Sequence, residues 1–101
     1  MWQVKLTEKA EKELMRNLKK GVFTNEDIEV LKLWIQHMEK LGPDVLKEMS
    51  RWDDHALHRE WLGYRSSCFS YSGRIIYRVI EHKIIVEVVR VTKDHDYSKK
   101  D

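Results

Sequence analysis

The sequence predicts an α+β domain: an N-terminal strand and a helical hairpin packed on one face of a four-stranded antiparallel sheet. Three observations point to it. The stretch from Tyr64 to Tyr97 holds three proline-free runs of β-branched, aromatic and small residues, at 65–70, 74–80 and 84–92, broken at Ser72-Gly73 and Glu81-His82. Ahead of it lie two segments whose apolar residues recur at helical spacing, and ahead of those a short alternating stretch.

In chain order, Trp2, Val4 and Leu6 alternate with Gln3 and Lys5 and read as a first strand added to an edge of the sheet. Thr7 is placed to cap a helix running to about Lys20, with Ala10, Leu14 and Leu18 as its inward stripe and Gly21 closing it. Thr24 opens a second helix, with Asp27 in the capping-box position and Ile28, Leu31, Trp34, Ile35 and Met38 on one face, until Gly42-Pro43 stops it. Residues 43–49 offer one or two further helical turns. The segment 50–60, SRWDDHALHRE, has mixed character and reads as a loop entering the meander.

Period 2 then sorts the meander into faces. A two-residue Ser72-Gly73 turn pairs Tyr71 with Arg74, which sets Arg65, Ser67, Phe69 and Tyr71 beside Arg74, Ile76, Arg78 and Ile80. The opposite face takes Ser66, Cys68 and Ser70 with Ile75, Tyr77 and Val79, and is the expected buried side. A two-residue Glu81-His82 turn adds Ile84, Val86 and Val88 to the apolar face. It sends Glu87, Val89 and Val91, then Lys93, His95 and Tyr97, to the arginine face. A one-residue slip in either turn would exchange the faces of everything beyond it.

At 101 residues the chain makes one domain, 1–101, with room for a single core. Charged residues are 36% and hydrophobic ones 42%, the balance of a soluble globular protein. No apolar run reaches membrane-spanning length and no secretory signal opens the chain, so a cytoplasmic protein is expected. One cysteine, Cys68, allows no internal disulfide and reads as a small core residue. Net charge is +2, but residues 1–60 carry 11 Lys and Arg against 12 Asp and Glu, while 61–101 carry 8 against 5. The basic excess therefore sits on the sheet and tail, where it suits nucleic acid.

Arg65, Arg74 and Arg78, with Lys93 nearby, form a candidate phosphate clamp, because a guanidinium donates two parallel hydrogen bonds to phosphate oxygens. Solvated strand arginines look the same in sequence. His95 and Tyr97 in TKDHDY, and His55 in WDDHALH, are the groups placed for acid-base work, while His37, His58 and His82 read as ordinary surface residues. Asp53, Asp54, Asp94 and Asp96 read as solvated loop acids. No spacing of His, Cys or carboxylates forms a metal motif, and no glycine-rich phosphate loop is present, so neither metal nor cofactor is expected.

Three local patterns carry a resemblance. DDHALHREWLGYRS is similar to the DHxLxGxWxGYR segment of YafQ-like toxins, and SGRIIYRV looks like the central R-x-x-Y strand of the RelE/ParE superfamily of bacterial toxin-antitoxin toxins. The ending VVRVTKDHDY is similar to the C-terminal strand and His-bearing tail of its RelE, YafQ and HigB-like ribonuclease branches. The order and spacing of these segments span essentially the whole chain. The resemblance implies a toxin that cuts messenger RNA without a metal, mostly in the ribosomal A site, and is held inactive by a cognate antitoxin. It implies catalytic roles for His55, Arg74, His95 and Tyr97, and a cationic substrate contact for Arg65. Arg78 and Lys93 are added as substrate contacts from the basic face. His95 is the candidate general acid and His55 the base, with the roles exchangeable. Two departures stand out: Cys68 sits where YafQ-like toxins have another histidine, and Ser72 lies near an acid of that branch. The alternatives are a ParE-like toxin that inhibits DNA gyrase without cleavage, and a non-catalytic RNA-binding module.

Overall fold

The computed structural model describes residues 1–93, so the expectations placed on His95 and Tyr97 lie outside the described residues. Within them, β1 (Gln3–Leu6) is followed by α1 (Glu8–Lys19), α2 (Asn25–Leu41) and a single turn, α3 (Pro43–Leu46). Then come β2 (His55–Ala56), β3 (Arg65–Cys68), β4 (Gly73–Ile80) and β5 (Ile85–Lys93). The strands lie in the order β1-β5-β4-β3-β2, and the helices cover one face. The α+β class is as expected. The sheet is not the expected four-stranded antiparallel one: among the described residues it has five strands and is mixed, because β1 runs parallel to β5. Alternation marks a strand without giving its direction, and a parallel pair needs a long crossover, which the intervening chain supplies. The fifth strand, β2, has two residues, too few for any period to show.

Both helix starts follow the capping logic. Thr7 Oγ1 accepts from Ala10 N at 3.1 Å, and Thr24 and Asp27 exchange reciprocal bonds at 3.1 and 2.9 Å. The α2 face delivers Leu31, Trp34 and Met38 to the core, where Trp34 meets Tyr77 edge to face at 5.4 Å. Gly42 ends α2 with φ 83°, and a Cβ there would come within 2.9 Å of the Trp2 indole. This glycine is what lets the first strand's tryptophan close over the helix end.

The Glu81-His82 turn and the Ser72-Gly73 turn both differ from expectation, with unequal consequences. Ile80 pairs with Ile85, two residues beyond Lys83, across a 3₁₀ turn at Glu81–Lys83 that Ile84 closes in the left-handed region. An even shift preserves faces, so Val86 and Val88 reach the core as expected. Arg74, however, pairs with Cys68 rather than Tyr71, an odd shift of three residues. Every β3 side chain is thereby reversed: Arg65, Ser67 and Phe69 point to the helix side, and Ser66 and Cys68 point with Arg74 and Arg78. The cause is Phe69, which is buried in the core edge to face with Phe23 at 5.1 Å and carries its period-2 neighbours inward with it. Cys68 accordingly lies on the arginine face, half-buried, and not in the core.

A bulge in the β4–β5 ladder adds a second reversal. Tyr77 pairs with Val88 but Ile76 with Arg90, leaving Val89 as the extra residue. Beyond it Val91 faces the core opposite Ile75, and Lys93, opposite Gly73, falls on the helix side and not with Arg74. Where β1 ends, no strand among the described residues lies beside the rest of the β5 edge, and α1 takes over. Thr7 N donates to Val88 O at 2.9 Å, Val91 N to Glu13 Oε1 at 3.1 Å and Asn17 Nδ2 to Val91 O at 3.5 Å. Glu13 also receives Arg90 Nε and Nη2 at 2.8 and 2.7 Å. A helix side chain thus supplies the acceptor that an edge strand would have supplied.

Glu13→Ala strips that acceptor from both Val91 N–H and Arg90. Removing one partner of a buried ion pair and a buried amide costs about 3 kcal/mol. Urea unfolding should show a loss of that order, whereas Glu11→Ala on the exposed side of the same helix should leave the midpoint nearly unchanged.

Candidate functional site

The site is built from the segment that looked least structured in sequence. Residues 50–52 form a 3₁₀ turn that buries Trp52 completely, with His37 edge to face against it at 5.7 Å. Asp53 then takes a left-handed conformation, φ 44° and ψ 46°, which a short polar side chain tolerates. The chain leaves this corner extended, so consecutive side chains go to opposite faces of the sheet.

Asp54 goes to the helix side. Its carboxylate, fully shielded from solvent, accepts from Arg65 Nε at 2.6 Å, Ser67 Oγ at 2.5 Å and Tyr77 Oη at 2.5 Å. These donors are the inward residues of β3 together with their cross-strand partner on β4. Burial opposes the Arg65 charge, but the Asp54 carboxylate outweighs it and raises the guanidinium above its ordinary value. Burial first, and the Asp54 charge second, push the Tyr77 phenol far above its ordinary 10.0, so Tyr77 serves as a permanent donor. Asp54 was expected to be a solvated loop acid; it is the buried counter-charge of the sheet.

His55 goes to the other face. It pairs with Ser66, so it shares a side with Ser66, Cys68, Arg74, Ile76 and Arg78. Its Nδ1 lies 3.0 Å from Asp53 O; a carbonyl only accepts, so Nδ1 carries the proton and Nε2 keeps its lone pair when the ring is neutral. Arg74 is two strands away and two residues along. Strand spacing and rise put the two Cα atoms roughly 12 Å apart, which a histidine and an arginine can close on a single phosphate. Arg74 Nη1 points to the carbonyls of Gly73, Ser70 and Tyr71 at 3.0, 3.4 and 3.4 Å, so the guanidinium is oriented by its own turn. Arg78 is held by Glu87, with Nε to Oε1 2.7 Å, which raises its pKa, and sits 5.9 Å from the Tyr64 ring.

The structure therefore brings His55, Arg74 and Arg78 to one face, and sets Arg65 and Lys93 on the other. Arg65 borders a cleft of about 270 Å³ lined also by Lys47, Ala56, Tyr64 and Val79. Cys68 Sγ lies 3.8 Å from Asp53 Oδ2, and the Ser66 hydroxyl is buried without a hydrogen-bond partner among the described residues. No group of three or more His, Cys, Asp or Glu able to hold a metal ion occurs among the described residues. Asp54 is the residue that sequence reading missed. The available signal was indirect: an arginine carried inward beside Phe69 requires a buried carboxylate, and Asp54 belongs to the same quoted motif.

Two measurements follow from the Asp54 cluster. Asp54→Ala leaves Arg65 unpaired against the core and should cost about 3 to 5 kcal/mol in chemical unfolding, against about 1 kcal/mol for Tyr77→Phe. Tyr77 has a folded pKa above its unfolded one, so its contribution is complete below pH 10 and is lost as pH rises past 10 toward the higher folded value. The urea midpoint should fall between pH 9 and pH 11.5 in the wild type, and fall less steeply in Tyr77→Phe.

No protein-family model and no curated protein matches the chain. Solved structures do. A copper-bound mutant toxin from Helicobacter pylori is 22% identical with TM-score 0.73, covering 92% of this chain and 94% of that one. The DinJ–YafQ complex of Escherichia coli gives 17% identity and TM-score 0.70 over 92% and 93%. A YoeB/ParE toxin from Agrobacterium tumefaciens gives 14% and 0.70 over 92% and 99%. Likeness at this level of identity concerns the backbone, and the backbone of this chain has the fold of these toxins.

Proposed function

We propose that the chain is the toxin of a toxin-antitoxin pair: an endoribonuclease that cuts messenger RNA in the ribosomal A site, with neither metal nor cofactor. One observation carries the reading: the helix-free face of the sheet carries His55, whose Nδ1 is engaged by Asp53 O so that Nε2 keeps its lone pair, with Arg74 at a Cα separation of roughly 12 Å and Arg78 farther along the same strand. RNA brings its own nucleophile, the 2′-OH. The protein has to orient it in line with phosphorus, neutralise the crowded phosphorane and move two protons.

In this mechanism His55 Nε2 takes the 2′-OH proton and Arg74 binds the phosphate oxygens, with Arg78 extending the cationic track along the RNA. His95 delivers the proton to the departing 5′ oxygen and Tyr97 assists it or stacks on a base, whereas Lys93, opposite Gly73 on the helix side, takes no part in the phosphate contact. Arg65 we assign to the opposite side, where it holds Asp54 and with it the corner that presents His55. YafQ is solved with DinJ as a toxin-antitoxin complex. By analogy the partner of this chain is a cognate antitoxin that covers the basic face in the cytoplasm. No helix among the described residues is long and apolar enough to cross a membrane.

Brief expression followed by primer extension on cellular messenger RNA tests the reading. Translation-dependent cuts support it; intact transcripts with gyrase-linked DNA breaks replace it with a ParE-like toxin, and binding of RNA without cuts replaces it with a non-catalytic module. Cleavage should survive EDTA wherever the ribosomes stay intact. Arg74→Ala should weaken RNA engagement and slow cleavage together, and Arg74→Lys should restore only part, because the two-pronged geometry is lost. His55→Ala and His95→Ala should keep binding while single-turnover cleavage falls by roughly 100-fold or more. Co-purification with the product of the neighbouring gene as a stoichiometric complex tests the antitoxin.

A further inference from the structure

We propose that the turn between β3 and β4 presents Tyr71 as a stacking platform for an unpaired nucleobase, which makes the substrate of this site single-stranded. The choice of RNA as ligand rests on the nuclease reading above. Tyr71 is fully exposed, at 101% of its reference area, on a turn whose backbone is pinned. Gly73 N donates to Ser70 Oγ at 2.8 Å and Phe69 N to Gly73 O at 3.1 Å, while the Phe69 ring is sealed in the core. A Cβ on Gly73 would fall 2.6 Å from Ser70 Oγ and 2.8 Å from the Phe69 ring, so the turn has little freedom to rearrange. On a fixed turn, a large aromatic in water has only its side-chain torsions left to order when a ligand arrives.

Its neighbour decides the ligand. Arg74 Nη1 lies 3.4 Å from the Tyr71 carbonyl, so the cation and the ring share one turn at the end of the face that carries His55. A phosphate on Arg74 leaves the base of the adjoining nucleotide beside Tyr71. The ring can take the π-face of any base, but only of a base that is out of a duplex stack. An anchor for a protein partner would instead be ringed by apolar surface that excludes water, and Tyr71 is flanked by Ser70, Ser72, Gly73 and Arg74.

The test is fluorescence anisotropy with a labelled 2′-O-methyl hexanucleotide, which cannot be cut, offered as a single strand and as a duplex. Wild type should prefer the single strand. Tyr71→Ala should weaken single-strand binding by roughly 5- to 100-fold and leave duplex binding nearly unchanged, while Tyr71→Phe and Tyr71→Trp retain affinity. The ring makes no packing contact, so thermal melts should coincide for all four proteins. Equal single-strand affinity of Tyr71→Ala and wild type overturns the proposal, as does a wild type without preference for, or binding to, the single strand. Loss of antitoxin affinity with RNA affinity retained overturns it too and moves Tyr71 to a protein interface. A parallel cleavage assay separates the two readings. Tyr71-dependent binding without cleavage removes the nuclease and keeps the platform, whereas cleavage with Tyr71-independent binding does the reverse.

Discussion

A carboxylate with no access to water can be kept ionised in a small core only if its surroundings replace the solvation it has lost, and Asp54 meets that condition with three donors from two strands. The arrangement ties together parts of the chain that nothing else would align. Arg65 and Ser67 must be on the inward side of β3, Tyr77 must sit opposite Arg65 on β4, and the corner at 53–54 must hold its place against both. Tyr77 is in turn packed by Trp34 of α2, so the network reaches from the loop through the sheet to the helix layer. Replacement by apolar residues of the same volume could match its stability, since a buried ion pair seldom exceeds a good hydrophobic fit. What such a core would lose is register, because a slip of one residue along β3 would put Arg65 in water and leave Asp54 unpaired.

How much of this was legible in the sequence follows from how each piece is encoded. Helix ends are local: Thr7, the Thr24–Asp27 box and Gly42-Pro43 act within a turn of themselves, and they read correctly. Strand faces depend on loop length only through its parity. The β4–β5 turn is two residues longer than expected and Val86 and Val88 still face inward; the β3–β4 turn is offset by three and reverses Arg65, Cys68 and Phe69. The Val89 bulge acts likewise on Val91 and Lys93, and single-sequence periodicity has no means of locating one extra residue. The counter-charge of Asp54 is less accessible still, since Arg65 is eleven residues away and Tyr77 twenty-three, and only the folded register brings them together.

Asp54 and Glu13 both reach distant residues but solve different problems. Asp54 balances a charge that β3 carries into the core, whereas Glu13 completes a sheet edge. The outer side of β5 beyond Val88 would otherwise present unpaired backbone groups, an invitation to pair with another chain. Glu13 and Asn17 occupy it from α1. The parallel β1 covers the first half of the same edge, so strand and helix together leave little of β5 open.

These constraints separate what holds the sheet together from the face to which we assign the chemistry. Residues 54 and 55 are adjacent in sequence but serve opposite sides of the sheet: Asp54 is locked inward by three bonds, and His55 is left exposed with one bond to the Asp53 carbonyl. The rigidity that the role proposed for His55 needs is therefore supplied by its neighbour and by the Asp53 carbonyl on Nδ1, neither of which occupies Nε2. Arg74 follows the same plan, since carbonyls of its own turn orient it. Positioning comes from beneath and from the backbone, so His55 stays exposed to a ligand, while Ser66 and Ile76 of the same face are fully buried and belong to the packing.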